Sequence, residues 1–279
     1  MSAKTCFVIT GATASGKTDY AIELALQHKT QIISADSRQC YKELNIGVAK
    51  PSIAQLQKVH HYFIGSHSIQ DDVTVKTFEQ YALKAIDKIF ETNDTAIVAG
   101  GTGLYVKAFC EGLDDMPPTD EDIREEINQH YQAEGIDWLQ NEIRKNDPLF
   151  FAEGEMQNPQ RMMRALEVKL TSGLSILHFQ TGKKIKRDFK IEKIHLDVPR
   201  EQLYKRINQR VDTMMNQGLL KEAEQLFQYK HLNALQTVGY KELFDFMEGK
   251  VSLDRAIDEI KKNTRHFAKR QNTWFRKNN

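Results

Sequence analysis

An α/β fold, a parallel sheet flanked by helices with an inserted all-helical domain, is predicted by three observations. The run Gly11-Ala-Thr-Ala-Ser-Gly-Lys-Thr18 lies between an apolar segment at 5–10 and a helix-like stretch at 19–28. That strand–loop–helix setting is the one in which Gly-x-x-x-x-Gly-Lys-Thr forms a P-loop, so the sheet is expected to be P-loop NTPase-like. Apolar segments then alternate with helical patterns, as a parallel sheet requires. Between Met116 and about Lys190 the alternation stops, which divides the chain into a first core part at 1–115, an insertion at 116–190 and a second core part at 191–279.

Taken in order, the strand candidates are 6–10, 31–35, 96–99 and 191–198. Met116-Pro-Pro118 opens the insertion, whose helical patterns fall at 120–132, 135–145 and 159–172. The third has the clearest start, with Asn158 as N-cap and Pro159 at the first helical position. Further helices are expected at 200–217, 219–229, 240–248 and 253–275. On the last, Leu253, Ile257, Ile260, Phe267 and Trp274 recur at helical spacing, while Lys262, Arg265, Lys269 and Arg276 trace another face.

Composition sets the outer limits. With 40% hydrophobic and 28% charged residues, the 279-residue chain reads as a soluble globular protein with room for more than one unit. No apolar run reaches the roughly twenty residues of a membrane helix, and Met-Ser-Ala-Lys does not begin like a secretory signal, so a cytoplasmic protein without membrane contact is expected. Cys6, Cys40 and Cys110 lack any zinc-like spacing and are expected to be reduced, unreactive thiols. Net charge is only +1, but residues 114–126 carry seven acids against one arginine, and residues 261–279 carry seven Lys or Arg and no acid. Lys183, Lys184, Lys186 and Arg187 form a second basic cluster. A charge cluster by itself is usually a solvated face, but two basic clusters beside a phosphate loop point to a polyanionic partner.

The loop Gly11, Ala12, Thr13, Ala14, Ser15, Gly16, Lys17 and Thr18 is a cradle for a diphosphate: its glycines let amides turn inward, Lys17 adds charge, and Thr18 offers a hydroxyl to Mg2+. Which diphosphate, and for what reaction, the loop leaves open. An ATP-using enzyme usually places a magnesium-binding acid at the end of a later strand. Here residues 95–99 run instead into Gly100-Gly-Thr-Gly-Leu-Tyr105, a tight turn or a platform where backbone or flat substrate approaches closely, with hydroxyls at Thr102 and Tyr105. Asp36, in Ile32-Ile-Ser-Ala-Asp-Ser-Arg-Gln39, falls at the carboxyl end of a parallel strand, the edge where such sheets hold ligands. A carboxylate there can orient or deprotonate an acceptor nucleophile.

Seven segments in one order carry a resemblance. They are the P-loop, Ile-Ser-Ala-Asp-Ser-Arg-Gln-Cys-Tyr, Asn45-Ile-Gly-Val-Ala-Lys-Pro51, Gly-Gly-Thr-Gly-Leu-Tyr, Asn158-Pro-Gln-Arg, Val238-Gly-Tyr-Lys241 and Ala268-Lys-Arg-Gln-Asn-Thr-Trp-Phe275. Together they resemble the bacterial tRNA dimethylallyltransferases, from about Thr5 to Arg276. One departure is Ala12, where that family's P-loop commonly has proline; proline stiffens the turn but brings no catalytic atom.

The resemblance implies transfer of a dimethylallyl group from dimethylallyl diphosphate to N6 of adenosine 37 in tRNAs reading codons that begin with U, with Mg2+ as cofactor. On this reading the P-loop grips a leaving group, and Lys17, Thr18 and the loop amides neutralise charge on the departing diphosphate. Asp36 matches the general base, Thr102 is a further catalytic residue by the same resemblance, and Arg206 and Arg210 match arginines near the diphosphate. Contacts to tRNA fall on Asp36, Ser37, Arg38, Gln39, Thr102, Arg124, Gln160, Arg161, Met162, Met163 and Arg164. The insertion is similar to an anticodon-stem-loop-binding domain, and a monomer is expected. Two rival enzymes share the P-loop: an adenylate isopentenyltransferase, which needs no anticodon-binding insertion, and an ATP-binding small-metabolite kinase, which needs the missing acid. A non-catalytic RNA-binding module leaves the paired P-loop and Asp36 without purpose.

Overall fold

A computed structural model describes residues 4–118 and 120–278. Met1, Ser2 and Ala3, on which the expectation about a secretory signal rests, lie outside the described residues. The chain forms two compact units, one of residues 1–112 with 186–279 and one of residues 113–185. The insertion thus begins just before Met116, and the segment leading to Lys190 belongs to the first unit.

The first unit is built on β1 (Thr5–Gly11), β2 (Ile32–Ser34), β3 (His61–Tyr62), β4 (Thr95–Gly100) and β5 (Lys190–Leu196), paired in parallel in the order β3-β2-β4-β1-β5. β1 is paired on both sides, with Thr5 beside Thr95 of β4 on one side and Lys190 of β5 on the other. Residue alternation sends its two sets of side chains to opposite faces. Cys6 and Val8, with Ile33, Ala35, Ala96 and Val98, join the larger core, whereas Ile9 joins Ile32 and Ile97 beneath the opposite face. The two-residue β3 is too short to leave a periodic signal in sequence.

Helices cover both faces. α1 (Lys17–His28) buries Ala21, Ile22 and Ala25 against Ile9 and Ile97, and short α2 (Ile53–Lys58) starts from a Ser52–Gln55 capping box. α3 (Val75–Phe90) starts at Thr74, whose side chain accepts from Thr77 N, and buries Phe78, Ala82, Ile86 and Ile89 at helical spacing. α4 (Gly103–Glu111) follows the glycine-rich turn after β4. Arg187 crosses beneath it, donating to the Phe109 and Ala108 carbonyls at 2.8 Å and pairing with Glu79 at 2.7 Å. This member of the expected basic cluster is therefore a structural anchor rather than a free surface charge.

Within the second unit, α5 (Glu121–Asn146) is interrupted at Gly135, with φ 78° and ψ −160°, so the two expected helices meet at that break. α6 (Pro148–Glu153) follows, with Asp147 accepting from Phe150 N at 3.0 Å. α7 (Pro159–Ser172) has Asn158 as N-cap, accepting from Arg161 N at 3.3 Å. The acidic run now has local causes: Asp120 caps α5, Glu121 and Asp122 sit in its first turn where the helix dipole favours anions, and Asp114 accepts from Thr181 and Gly182.

The first unit closes with α8 (Arg200–Asn216), α9 (Leu219–Leu226), α10 (Tyr240–Met247) and α11 (Leu253–Asn278). α9 is shorter than its pattern because its last turn tightens to a 3-10 turn at Phe227–Tyr229. α11 buries Ala256, Ile260, Ala268, Gln271 and Phe275 along one stripe, so this basic terminal helix is also part of the core.

Candidate active site

Three loops meet at the carboxyl edge of the sheet, after β1, β2 and β4, and line a cavity of about 560 Å³ within the first unit. The P-loop is strung between Gly11, with φ 152°, and Gly16, with φ 95°, which serves as N-cap of α1 without a side-chain cap. Amides at a helix start have no partner inside the helix, so this end of α1 presents donors suited to an anion. Ala12 and Ala14 belong to one buried apolar cluster with Leu203, Ile207 and Ala268, which braces the loop. Ser15 Oγ is buried with no hydrogen-bond partner among the described residues. Lys17 folds back, its Nζ donating to Ala12 O at 2.7 Å. Burial brings the Lys17 ammonium down to about 8, against the opposing pull of Asp36, and Arg210 adds to the lowering. An anion in the cradle relieves that cost.

Asp36 follows β2. Its Oδ1 accepts from Arg38 N at 2.9 Å and Gln39 N at 3.3 Å, which fixes the carboxylate on a turn of its own loop. Among the described residues Oδ2 carries no hydrogen bond, and Asp36 lines the cavity. Thr102 Oγ1 accepts from Ser37 N at 3.0 Å and donates to Ser37 Oγ at 3.3 Å, tying the third loop to the second. Arg38 donates to Asn233 O at 2.9 Å, and the Gln39 amide to the carbonyls of Val48 and Ala49. Cys40, buried behind them, has its thiol pushed up to about 12 by burial and by Asp36, so it is no nucleophile.

The glycine-rich turn is a packing device. A Cβ at Gly100 would lie 2.1 Å from Ala35 O, and one at Gly103 would lie 2.4 Å from the Trp274 ring. Close approach of the neighbouring strand and of α11 accounts for these glycines without a flat substrate. Tyr105 is likewise a core residue, stacked on Phe78 at 4.3 Å between centroids, and not a hydroxyl in the cavity.

Lys17, Thr18, Asp36, Ser37, Arg38, Gln39, Thr102 and Arg210 all line the cavity; Arg206, one turn before Arg210 on α8, is exposed and does not. Burial lowers Arg210's pKa and Asp19 opposes that shift. In the second unit the side chains of Met162 and Met163 are buried in its core, on the apolar face of α7. Arg124 and Arg164 converge on buried Glu167 at 3.4 Å and 2.6 Å, while Gln160 and Arg161 are exposed. Sequence reasoning missed two features. One is an apolar wall of the cavity that includes Val211, Met214, Leu219, Ile260 and Phe267. The other is Gln271, whose Oε1 takes Thr13 N–H at 2.8 Å, so that amide is committed to the protein. Its signal was a polar residue on the stripe shared by Ala268 and Phe275.

The residues also fit a magnesium ion shared with a bound diphosphate. Among the described residues no three His, Cys, Asp or Glu side chains converge on a metal cage. Mg2+ commonly rests on one or two protein groups and takes its other ligands from phosphates and water. Thr18, whose hydroxyl makes no protein hydrogen bond among the described residues, is suited to that role.

The IPP transferase family model matches residues 39–278. A protein of Christiangramia forsetii named tRNA dimethylallyltransferase is 49% identical over 269 residues, covering 96% of this chain and 89% of its own length. One of Flavobacterium johnsoniae with the same name is 48% identical, covering 99% and 91%. The solved tRNA isopentenylpyrophosphate transferase of Bacillus halodurans is 35% identical, with a TM-score of 0.70 over 98% of this chain and 87% of its own. A eukaryotic dimethylallyltransferase solved acting on tRNA reaches a TM-score of 0.80 at 26% identity, over 97% of this chain and 69% of its own.

Proposed function

The chain belongs to the IPP transferase family, and from that membership and the cavity's geometry we propose that it transfers a dimethylallyl group from dimethylallyl diphosphate to N6 of adenosine 37 in tRNAs reading codons that begin with U, releasing diphosphate. The observation that carries this reading is that a diphosphate cradle, a carboxylate on a fixed turn and an apolar wall line one cavity. A prenyl donor uses both the cradle, for its diphosphate, and the wall, for its five-carbon tail.

Lys17 and the loop amides hold the diphosphate, with Arg210 adding charge from α8. Val211, Met214 and Leu219 cover the five-carbon tail and exclude water from it. The allylic C–O bond breaks with its electron pair going to the diphosphate, and the amine lone pair of adenine forms the new C–N bond. The proton lost from that amine passes to Asp36, whose free oxygen is the acceptor. Thr102, by holding Ser37, keeps Asp36 in place. Mg2+ on Thr18 supplies charge neutralisation for the leaving group when bound. The neutral exocyclic amine is a weak nucleophile, so placement carries as much of the rate as basicity.

The substrate base must leave its stack to be reached, at a cost of a few kcal/mol in such systems. Ser37, Arg38 and Gln39 meet the flipped nucleotide, and Gln160, Arg161, Arg124 and Arg164 of the helical unit contact the anticodon stem-loop. The protein works as a cytoplasmic monomer. No described helix is long and apolar enough to cross a membrane.

The test is to incubate the protein with Mg2+, prenyl-labelled dimethylallyl diphosphate and either tRNA or AMP. Label is expected on tRNA alone. Label on AMP in place of tRNA would turn the assignment to an adenylate isopentenyltransferase.

A further inference from the structure

Gln271 sits on α11, only 8% exposed, and both ends of its amide are used. Oε1 accepts from Thr13 N in the P-loop at 2.8 Å, and Nε2 donates to Gly101 O in the turn after β4 at 2.9 Å. A Cβ at Gly101 would lie 2.3 Å from that Nε2, so glycine there leaves the space the amide occupies. The next residue, Thr102, accepts from Ser37 N at 3.0 Å, and Ser37 follows Asp36 in the chain. A continuous set of hydrogen bonds therefore runs from the diphosphate loop, through one side chain of the terminal helix, to the loop that carries the carboxylate.

We propose that Gln271 is a positioning residue for prenyl transfer: its amide fixes the distance between the diphosphate cradle and Asp36, and so the separation of the allylic carbon from the attacking amine. This rests on the dimethylallyl-transfer reading above. A primary amide offers an acceptor and a donor side by side at that spacing, with no change of charge. Donor and acceptor contacts lie on opposite sides of the bridge, so losing it leaves each site able to bind its own substrate. What changes is their mutual placement, and a misplacement of about 1 Å costs on the order of a hundredfold in rate. An allylic cation whose amine is out of line is open to water, which forms a C–O bond, gives up a proton and yields dimethylallyl alcohol.

The experiment compares wild type with Gln271→Leu, Gln271→Glu and Gly101→Ala, reading single-turnover transfer to tRNA, dissociation constants for donor and tRNA, melting temperature, and the share of consumed donor ending as alcohol. Gln271→Leu and Gly101→Ala should slow transfer by roughly a hundredfold, move each dissociation constant by less than about threefold, and raise the alcohol share. Gln271→Glu, which keeps the acceptor for Thr13 N–H and loses the donor to Gly101, should fall between wild type and Gln271→Leu. It also keeps the side chain's shape, so it reports if the leucine variant fails to fold. A lowered melting temperature with unchanged rate and alcohol share would make Gln271 a merely structural residue and overturn the proposal. So would a rate loss matched by equal losses in donor binding. A wild-type protein that transfers nothing to tRNA would overturn the dimethylallyl reading and the bridge's role together.

Discussion

Arg206 and Arg210 stand one helical turn apart on α8, yet only Arg210 lines the cavity and feels Asp19 and Lys17. A hydrogen bond to a charged group contributes about 1.5–3 kcal/mol, or roughly ten- to a hundredfold in binding. Arg210→Ala should therefore weaken donor binding by about that factor, and Arg206→Ala should change it by less than about twofold. Equilibrium binding of dimethylallyl diphosphate to the two variants checks this; equal losses would mean that both arginines reach the diphosphate. The P-loop residues and Asp36 were legible in the sequence because their chemistry is local, fixed by neighbours in the chain. The burial of Met162 and Met163, two positions where the resemblance implies tRNA contact, was not legible, because a motif does not say which face of α7 each of its residues takes. Gln271 was invisible as a functional residue because its partners, Thr13 and Gly101, lie far from it in sequence.

At the scale of elements, α11 has two jobs that its composition alone confuses. Lys261 pairs with Asp212, Lys262 with Glu259 and Arg276 with Asp197, so much of its basic character is answered within the protein. Lys269 and Lys277 are exposed, with no acidic partner among the described residues. Deleting the chain after Arg270 removes Gln271 and buried Phe275, and loss of a buried Phe side chain alone costs about 3–5 kcal/mol, so truncation reports folding rather than RNA binding. Charge reversal at Lys269 and Lys277 is the cleaner experiment. It should leave the melting temperature in place and reduce the slope of log affinity for tRNA against log salt by nearly one for each lysine that meets a phosphate. An unchanged slope would show both lysines to be solvated bystanders. Long helices with strong periodicity were readable from sequence, and so was the Asn158 cap. The short β3 and α6 were not, because two and six residues carry no period to read.

At the scale of the whole molecule, an all-parallel sheet brings the loops after β1, β2 and β4 to one edge, and the order β3-β2-β4-β1-β5 sets β4 between the strands that carry Asp36 and the P-loop. Alternation of apolar strands and helices foretold the parallel sheet; the order of its strands was not legible, since β-pairing is decided by packing between distant segments. The net charge of +1 says nothing of placement: Asp120 caps a helix, and Arg187 is tied to Glu79 within the fold. From this arrangement follows the central claim that the P-loop holds a leaving group and transfers no phosphoryl group. The most direct measurement supplies tRNA, Mg2+ and dimethylallyl diphosphate labelled with one isotope in the prenyl carbons and another in the phosphorus. Carbon label is expected on adenosine 37, with an equal amount of phosphorus label in free diphosphate. Phosphorus label on the acceptor, or carbon label that never leaves the diphosphate while the phosphates separate, would contradict it.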